Sequence, residues 1–322
     1  MRYLVTGGYG FMGSFAALAL ARAGHEVCIL SRSSANRSFV DGFSPQCIES
    51  DLACDSPSAL AEKLPSGLDG CVHTASLNDV FIPNYAPKAL AANVLGTRTL
   101  LEAICIKSSK ERRTSLPLVL YPSTYHVYGR DCGDIDTSLP PSPRNEYALS
   151  HLLAEEYCRY FQRTEGLPSI ILRPTNGYGT PCCLPFTKWH LIFHDLCMAA
   201  WKNSTLQTRT AMDVERDFVW MGDICQIIGK LLQRPDLSGE IFIVASQKSL
   251  TLGDFMQRVA QSASKALARP VSVTDNGLPH AHRPPLRVSS ATLLSALDIS
   301  FTDCIEEEVA STLALLSRMQ HV

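Results

Sequence analysis

Short apolar runs alternate with longer amphipathic segments along the first part of the chain. The runs are four to seven residues long, a length typical of buried strands, and helical periodicity follows several of them. The first run ends at Thr6, later strands are predicted at 26–30, 46–49, 70–76, 117–122 and 170–174, and helices are predicted at 15–23, 86–107 and 146–164. This alternation predicts a parallel sheet with helices on both faces.

The turn after the first run carries a glycine at every third position. Gly7, Gly10 and Gly13 lie between Thr6 and an alanine-rich helix, an order that presents backbone N–H groups and a helix N-terminus to a pyrophosphate. The first glycine allows the tight turn, the second lets the backbone approach the phosphates, and the third lets the helix pack closely on the strand. The pattern predicts a dinucleotide cofactor on a Rossmann-type, doubly wound α/β sheet.

The alternation changes after Pro174. Residues 175–185 are rich in glycine, proline and cysteine, and the elements that follow are shorter and more irregular. Further helices are predicted at 188–201, 223–233 and 252–267, and strands at 216–220 and 241–245. We therefore predict two units: a dinucleotide-binding domain over residues 1–174 and a smaller substrate-binding lobe over residues 175–322, interleaved with the sheet.

The end of the second predicted strand bears on the choice between NAD and NADP. An acidic residue there would bind the adenosine ribose and repel a 2′-phosphate, but this chain has Ser31-Arg32-Ser33. Because a hydroxyl and a guanidinium suit a phosphate, we favour NADP; the alternative is a solvated loop arginine. Asp51, which precedes Leu52 after the third strand, could bind the adenine amino group or could equally cap a helix.

Composition and charge argue against several classes of function. Hydrophobic residues make up 46% of the 322 residues and charged residues 19%, which is enough apolar material for a sizeable core. The net charge of -2 gives no footprint for nucleic acid or an anionic membrane, and we expect no run long enough to span a bilayer. The 12 cysteines form no Cys-x-x-Cys pair, so we expect neither a metal site nor a disulfide framework. With no room for a signal peptide before the first strand, we expect a cytoplasmic protein.

Five more motifs follow the glycine turn along the chain. They are Asn93-Val94-Leu95-Gly96-Thr97, Ser123-Thr124 with Val127-Tyr128-Gly129, Tyr147-Ala148 with Ser150, Leu172-Arg173-Pro174 with Asn176, and Arg216-Asp217-Phe218-Val219. Together, the ordered motifs resemble the extended short-chain dehydrogenase/reductases, specifically the NAD-dependent epimerase/dehydratase family of nucleotide-sugar enzymes. The resemblance is strong over residues 2–223 and weak beyond them. It implies that family's fold and chemistry.

The resemblance implies catalytic roles for three residues. Tyr147 would be the acid/base, Thr124 would hydrogen-bond the sugar oxygen whose carbon gains or loses hydride, and Ser123 would lie near the nicotinamide amide. A phenol can exchange this proton if its pKa, about 10 when unperturbed, is lowered toward neutrality. The cofactor supplies the hydride chemistry, and the protein supplies position and charge.

Binding roles are expected for a wider set of residues. By the resemblance, the diphosphate of the substrate would bind Asn176 and Arg216, with a contribution from Arg283. The remaining expected cofactor-binding positions are Phe11 and Met12 in the glycine turn, Asp51 and Leu52, the small residues Thr74, Ala75 and Ser76 after the fourth strand, Asn93, His151 and Pro174.

The motif around Tyr147 departs from the family pattern. The family usually has a lysine four residues after the tyrosine, which holds the nicotinamide ribose and lowers the tyrosine pKa, whereas this chain has His151. A histidine can donate a hydrogen bond to the ribose, but with an ordinary pKa of about 6.5 it is mostly neutral at pH 7. His151 should therefore lower the pKa of Tyr147 less than a lysine would. Either this is a working histidine variant, which we favour, or activity is greatly reduced.

A second departure concerns the reaction. The 4,6-dehydratase branch resembles this segment but places Asp-Glu directly after the threonine, where this chain has Tyr125-His126. Without that carboxylate pair, dehydration is the least expected of the family's reactions. We therefore predict a nucleotide-sugar epimerase or 4-ketoreductase. The alternatives are a catalytically weak regulatory protein that binds dinucleotide on the same fold, and a reductase of non-nucleotide carbonyl compounds.

The resemblance also suggests a homodimer. The helices predicted at 86–107 and 146–164 would pack as a four-helix bundle across a two-fold axis. The apolar residues of these helices fit a core within one chain equally well.

Overall fold

The computed structural model describes residues 1–78, 82–275, 277–279 and 283–319. The strands are, in chain order, β1 (Arg2–Thr6), β2 (Glu26–Ser31), β3 (Ser38–Phe39), β4 (Gln46–Glu49), β5 (Gly70–His73), β6 (Leu118–Pro122), β7 (Gly133–Ile135), β8 (Ser169–Pro174), β9 (Asn176–Tyr178), β10 (Cys183–Leu184), β11 (Thr205–Leu206), β12 (Glu215–Trp220), β13 (Ile241–Val244), β14 (Ser249–Thr251), β15 (Ser272–Val273) and β16 (Leu286–Val288).

The α-helices are α1 (Phe11–Arg22), α2 (Pro57–Lys63), α3 (Tyr85–Ala89), α4 (Gly96–Lys110), α5 (Glu146–Glu165), α6 (Ile192–Asn203), α7 (Met221–Leu231), α8 (Leu252–Leu267), α9 (Ala291–Ala296) and α10 (Ile305–Met319). A π-helical segment, Leu90–Leu95, joins α3 to α4, and short 3₁₀ turns cover Tyr125–Tyr128 and Pro235–Leu237.

A seven-stranded parallel sheet forms the centre of the molecule, in the order β13-β8-β6-β5-β1-β2-β4. Helices α1, α7 and α9 contribute to the apolar core on one face, and α2, α4 and α5 to the core on the other. The predicted doubly wound α/β sheet is thus confirmed. The strand order reverses between β1 and β5, and such a switch point is where ligands bind in open α/β sheets.

The predicted strands of the first 174 residues all lie in this sheet, with end points that differ by a few residues. The fourth strand ends at His73, so Thr74–Ser76 form the loop at its carboxyl end. Beyond Pro174, β13 is an edge strand of the same sheet, and α7 and α9 pack on it. Part of the chain beyond Pro174 thus belongs to the central layer. The predicted division into two units stays a prediction.

The remaining C-terminal elements build a smaller lobe. Strands β14, β12 and β9 form a three-stranded sheet, and α6, α8 and α10 share a separate apolar core with it. The rings of Phe218 and Phe255 stack at the centre of this core, with centroids 3.8 Å apart. The predicted helix at 188–201 begins later, at Ile192, which leaves Lys188–Leu191 as a loop near the sheet.

The helix from Tyr85 to Lys110 contradicts one expectation from the sequence. By length and composition it is apolar enough to cross a membrane, so the expectation that no such run exists is wrong. More than half of its most apolar 18-residue stretch is buried inside the fold. There the helix packs against α2 and α5. Such burial is typical of the core helix of a globular protein.

Candidate active site

A cavity of about 360 Å³ lies at the carboxyl ends of β1, β5, β6 and β8, beside the switch point of the sheet. Loop residues from the C-terminal part close its other side, among them Lys188, His190 and Leu191. The predicted site residues that line it are Gly10, Phe11, Met12, Gly13, Thr74, Ser76, Ser123, Thr124, Tyr147, His151, Pro174 and Asn176.

The start of α1 offers backbone donors to this cavity. Gly10 is the N-cap of the helix, and the first N–H with a helical acceptor is that of Ser14, 2.9 Å from the Gly10 carbonyl oxygen. The N–H groups of Phe11, Met12 and Gly13 precede that bond, so the helix itself does not satisfy them. Three such donors at the positive end of a helix dipole suit a diphosphate.

Close packing explains the glycines of this turn. Gly7 has a φ of +63°, and a Cβ there would lie 2.8 Å from the Cα of Ala75. A Cβ at Gly13 would collide with the Gly7 carbonyl oxygen and would come within 2.5 Å of Thr74 Oγ1. The Thr74 hydroxyl in turn donates to the Thr6 carbonyl oxygen at 2.6 Å. Side chains are therefore excluded at Gly7 and Gly13. The turn over residues 7–13 forms a glycine cradle, and its close packing suits the dinucleotide that the sequence predicts.

Three side chains with proton-transfer or hydrogen-bonding chemistry meet beside it. Helix α5 places Tyr147 and His151 four residues apart on one face, and their ring centroids are 4.7 Å apart. Thr124, which follows β6, lies close enough to the Tyr147 phenol to lower the pKa of that group. The neighbouring Ser123 is 5% exposed, and its hydroxyl has no partner in the described part of the chain.

Burial sets the protonation of this group. Desolvation raises the pKa of Tyr147 above its ordinary value, and the nearby Thr124 side chain opposes this only in part. Desolvation, with a smaller contribution from the nearby His126, lowers the pKa of His151 to about 4. At neutral pH, therefore, both Tyr147 and His151 are uncharged. His151 supplies no positive charge to Tyr147, in agreement with the concern raised by the sequence.

His126 is a further titratable group in the cavity. It lies in the turn after Thr124, and its ring centroid is 6.2 Å from that of Tyr147. Desolvation lowers its pKa to about 4, with an added contribution from Arg216. A neutral imidazole thus lies where the dehydratase branch of the resembled family has a carboxylate.

The profile of a known family matches residues 3–245, a span that contains all of these groups. Its description is "NAD dependent epimerase/dehydratase family". The chain belongs to this family.

Relatives of this chain are named for different reactions. An uncharacterized UDP-glucose epimerase of Bacillus subtilis (strain 168), YtcB, is 27% identical over 55% of this chain and 53% of its own length. The GDP-6-deoxy-D-mannose reductase of Pseudomonas aeruginosa is 28% identical over 66% and 68%. A probable dTDP-glucose 4,6-dehydratase of Sinorhizobium fredii is 26% identical over 80% and 75%. Because the first of these matches spans about half of the relative, activity does not transfer directly, and the disfavouring of dehydration stays a prediction.

The fold is shared with solved structures of this family. A UDP-glucuronic acid 4-epimerase from Bacillus cereus, in complex with UDP-glucuronic acid and NAD, superposes with a TM-score of 0.76. The superposition covers 99% of this chain and 100% of that one, at 20% identity. At this identity the likeness establishes the fold alone.

Tyr121 is a site residue that sequence reasoning missed. It belongs to β6, one residue before Pro122, and its hydroxyl lies 3.0 Å from Nδ1 of His151. The other ring nitrogen, Nε2, has no partner among the residues that the structure describes. An apolar strand with one tyrosine gives no signal of such a contact, because the partner lies 30 residues away on α5.

Asn93, predicted to face the cofactor, does not line the cavity. It lies in the π-helical segment, and its side chain is hydrogen-bonded on both ends. Its Oδ1 accepts from the Leu77 N–H at 2.6 Å, while Nδ2 donates to the Leu77 carbonyl oxygen and to Ser150 Oγ. Asn93 thus ties the loop after β5 to the helix that carries Tyr147. A π-helical turn at this position agrees with the frequent occurrence of such turns near functional sites.

The residues predicted to bind adenosine lie outside the cavity, toward the ends of β2 and β4. The Asp51 carboxylate accepts from the Ala53 N–H at 3.0 Å, a local turn bond, and Leu52 is buried in the core. Ser31 donates to the Ser33 carbonyl oxygen, and Arg32 is exposed. Their cofactor roles remain predictions.

The predicted phosphate-binding cations are also outside the lining. Arg283 forms an ion pair with Asp131 at the surface. Arg216 donates to the carbonyl oxygen of Glu215 at 3.0 Å, yet it lies near enough to His126 to affect the pKa of that residue. Lys188 lines the cavity and was not predicted, because one lysine in an irregular loop carries no motif.

Proposed function

We propose that this protein is a nucleotide-sugar epimerase or 4-ketoreductase that uses NAD(P), with Tyr147 as its acid/base. This proposal rests on the observation that Tyr147 and Thr124 line the same cavity as the glycine cradle at the start of α1. The substrate class is supported by relatives named as epimerases or reductases of UDP- and GDP-sugars.

Tyr147 and Thr124 carry the proton in this proposal. When bound, the nicotinamide cofactor accepts or supplies a hydride. In the oxidising direction, the phenolate form of Tyr147 takes the proton of a sugar hydroxyl as the carbon of that hydroxyl loses hydride, and Thr124 holds the oxygen of the carbonyl formed. In the reducing direction, the Tyr147 phenol returns its proton to that oxygen. Ser123 and His151 bind the cofactor through hydrogen-bonding atoms that have no partner among the described residues.

The phosphate end of the substrate is assigned to the opening toward the C-terminal lobe. Asn176 and Lys188 line the cavity on that side, and Arg216 lies near enough to His126 to affect its pKa. An amide with two cationic side chains suits a nucleoside diphosphate, because charge-assisted hydrogen bonds to phosphate oxygens are the strong ones. The sugar would then extend toward Tyr147.

We propose NADP as the preferred cofactor on the basis of Arg32. Its guanidinium has no hydrogen-bond or ion-pair partner in the described part of the chain, so it is available to a 2′-phosphate. Glu49 acts against this preference, because a carboxylate repels a 2′-phosphate. It is the register partner of Ser31 on the neighbouring strand, and its carboxylate accepts hydrogen bonds from the Ser34 N–H and hydroxyl.

We also propose a homodimer through α5 and the helix from Tyr85 to Lys110. Large apolar side chains are exposed on both helices: Leu90, Leu95, Leu149, Leu153 and Tyr160. Light scattering should give twice the chain mass. A double variant, Leu95→Glu with Leu153→Glu, should be monomeric, whereas Val40→Glu, at an exposed apolar position elsewhere, should remain a dimer. A monomeric wild type at micromolar concentration would contradict the proposal.

A dinucleotide-binding regulatory protein is the second candidate function. The neutral His151 favours it, because Tyr147 lacks the cationic neighbour that the family usually provides. Hydride transfer that is lost in a Tyr147→Phe variant would rule it out.

The deciding experiment begins with the purified protein. Mass spectrometry and absorbance after denaturation would detect a released dinucleotide. Retained NAD(H), together with interconversion of UDP-, GDP- or dTDP-hexoses without added cofactor, indicates an epimerase. Absence of a retained dinucleotide, with consumption of added NADPH by 4-keto sugars, indicates a reductase. If the protein binds neither NAD(H) nor NADP(H), both the epimerase and the reductase are refuted.

A further inference from the structure

Tyr121 and His151 form a buried pair beneath the cavity. Tyr121 is 2% exposed and His151 3%, and the phenol oxygen lies 3.0 Å from the Nδ1 of the imidazole. In the described part of the chain, this nitrogen is the only hydrogen-bond partner that the Tyr121 hydroxyl has. His151 is also one of the residues that line the cavity.

The direction of this hydrogen bond follows from what each atom can do. A protonated phenol in a buried place needs an acceptor, and the lone pair of Nδ1 is the acceptor in reach. Nδ1 then carries no proton, so the single proton of a neutral imidazole is on Nε2. The opposite tautomer would turn the Nδ1 proton toward the phenol oxygen and leave the phenol proton buried without a partner.

The second ring beside Tyr121 does not compete for this proton. His73 lies with its centroid 5.5 Å from that of Tyr121, but both of its nitrogens are engaged. Its Nδ1 is 2.6 Å from the Thr6 hydroxyl, and its Nε2 is 2.9 Å from the Thr97 hydroxyl. Burial also keeps the pair uncharged, since it raises the pKa of Tyr121 and lowers that of His151.

The other nitrogen of His151 is left for a ligand. Nε2 is buried, and no described residue is its hydrogen-bond partner. We propose that Tyr121 is a positioning residue that holds His151 as its Nε2–H tautomer, so that the cavity offers a hydrogen-bond donor there. The matching ligand atom is an uncharged acceptor, and a ribose hydroxyl oxygen of the dinucleotide fits. The identity of this ligand rests on the proposed function; the tautomer does not.

The tautomer can be tested without any ligand. Two-dimensional ¹H–¹⁵N spectra of protein with ring-labelled histidine distinguish a protonated from an unprotonated ring nitrogen, and His151→Gln identifies the signals. We expect Nε2 protonated, and Nδ1 unprotonated but shifted by an accepted hydrogen bond. In Tyr121→Phe that shift should disappear. A wild-type His151 with its proton on Nδ1, or an Nδ1 signal unchanged in the variant, would overturn the proposal.

Titration with NAD(H) and NADP(H) tests the consequence for binding. We expect Tyr121→Phe to weaken the bound dinucleotide about fivefold, the effect of misplacing one hydrogen bond. Tyr178→Phe is a matched control, because it removes an equally buried phenol, whose partner is the Cys304 N–H, from the C-terminal lobe. Equal losses in both variants would contradict a positioning role. Wild-type protein that binds no dinucleotide would refute the proposed function and leave the tautomer result standing.

Discussion

His151 lies one helical turn after Tyr147, and the two rings meet edge to face, with centroids 4.7 Å apart at an angle of 66°. Both are uncharged at neutral pH, because burial raises the pKa of the phenol and lowers that of the imidazole. Where the family usually has a lysine, the protein therefore offers a directed hydrogen bond and no charge. This neutral site and the buried histidines around it have consequences for catalysis, cofactor binding and stability.

Replacing Tyr147 with phenylalanine should abolish proton exchange and preserve binding. We expect hydride transfer to fall at least about 100-fold, the scale of general acid–base catalysis, with dinucleotide affinity nearly unchanged. Stopped-flow absorbance of the reduced nicotinamide measures the first quantity and fluorescence titration the second. Tyr157→Phe, a partly buried tyrosine farther along α5, is the matched control. A Tyr147→Phe variant with wild-type rates would remove Tyr147 from the mechanism.

The oxidation rate should rise with pH beyond neutrality. Since burial raises the pKa of Tyr147, the reactive phenolate is a minor species at pH 7, and its fraction grows about tenfold per pH unit below that pKa. His151→Lys should move the pH–rate profile to lower pH, because an ammonium stabilises the phenolate. His151→Gln lacks that charge and should leave the profile in place. Identical profiles for the two variants would contradict this electrostatic account.

Cofactor preference should respond in opposite directions at two positions. Arg32→Ala should weaken NADPH binding about tenfold, as expected for loss of a charge-assisted hydrogen bond, and leave NADH binding unchanged. Glu49→Gln should strengthen NADPH binding by removing a nearby negative charge. Calorimetric titration of both dinucleotides measures each effect. An Arg32→Ala variant with unaltered NADPH affinity would show that this arginine is only a solvated loop residue.

Stability should fall in mild acid. Burial lowers the pKa of His73 to about 3 and those of His151 and His194 to about 4, below the unfolded value of about 6.5. Between about pH 6.5 and 4 the unfolded chain binds protons that the folded chain excludes, so each histidine removes up to about 2 kcal/mol between pH 7 and 5.

Urea unfolding at these two pH values measures this loss. His194→Gln should reduce it, because that imidazole is fully buried with one nitrogen 2.9 Å from the Gly179 carbonyl oxygen. His25→Gln, at a partly exposed position, should not. An equal loss in the wild type and in His194→Gln would show that the histidine does not contribute.

The sequence determined the central sheet and the place of the site on it. Strand and helix periods are local properties, and the order of elements leaves few ways to wind a parallel sheet. Gly7, Gly10 and Gly13 marked the turn, and at Gly7 and Gly13 a side chain would collide with neighbouring backbone atoms. Tyr147 and His151 were predicted to share a face because four residues make about one helical turn.

Only the tertiary structure decided which groups meet from distant parts of the chain. Tyr121 reaches His151 across 30 residues, and Glu49 comes to lie opposite Ser31 through strand register. Asn93 had a motif but turned out to tie Leu77 to Ser150. Burial, which sets the pKa of Tyr147 and His151, sums over every element packed around them. That sum has no local signature, so the neutral character of the site could be read only from the folded chain.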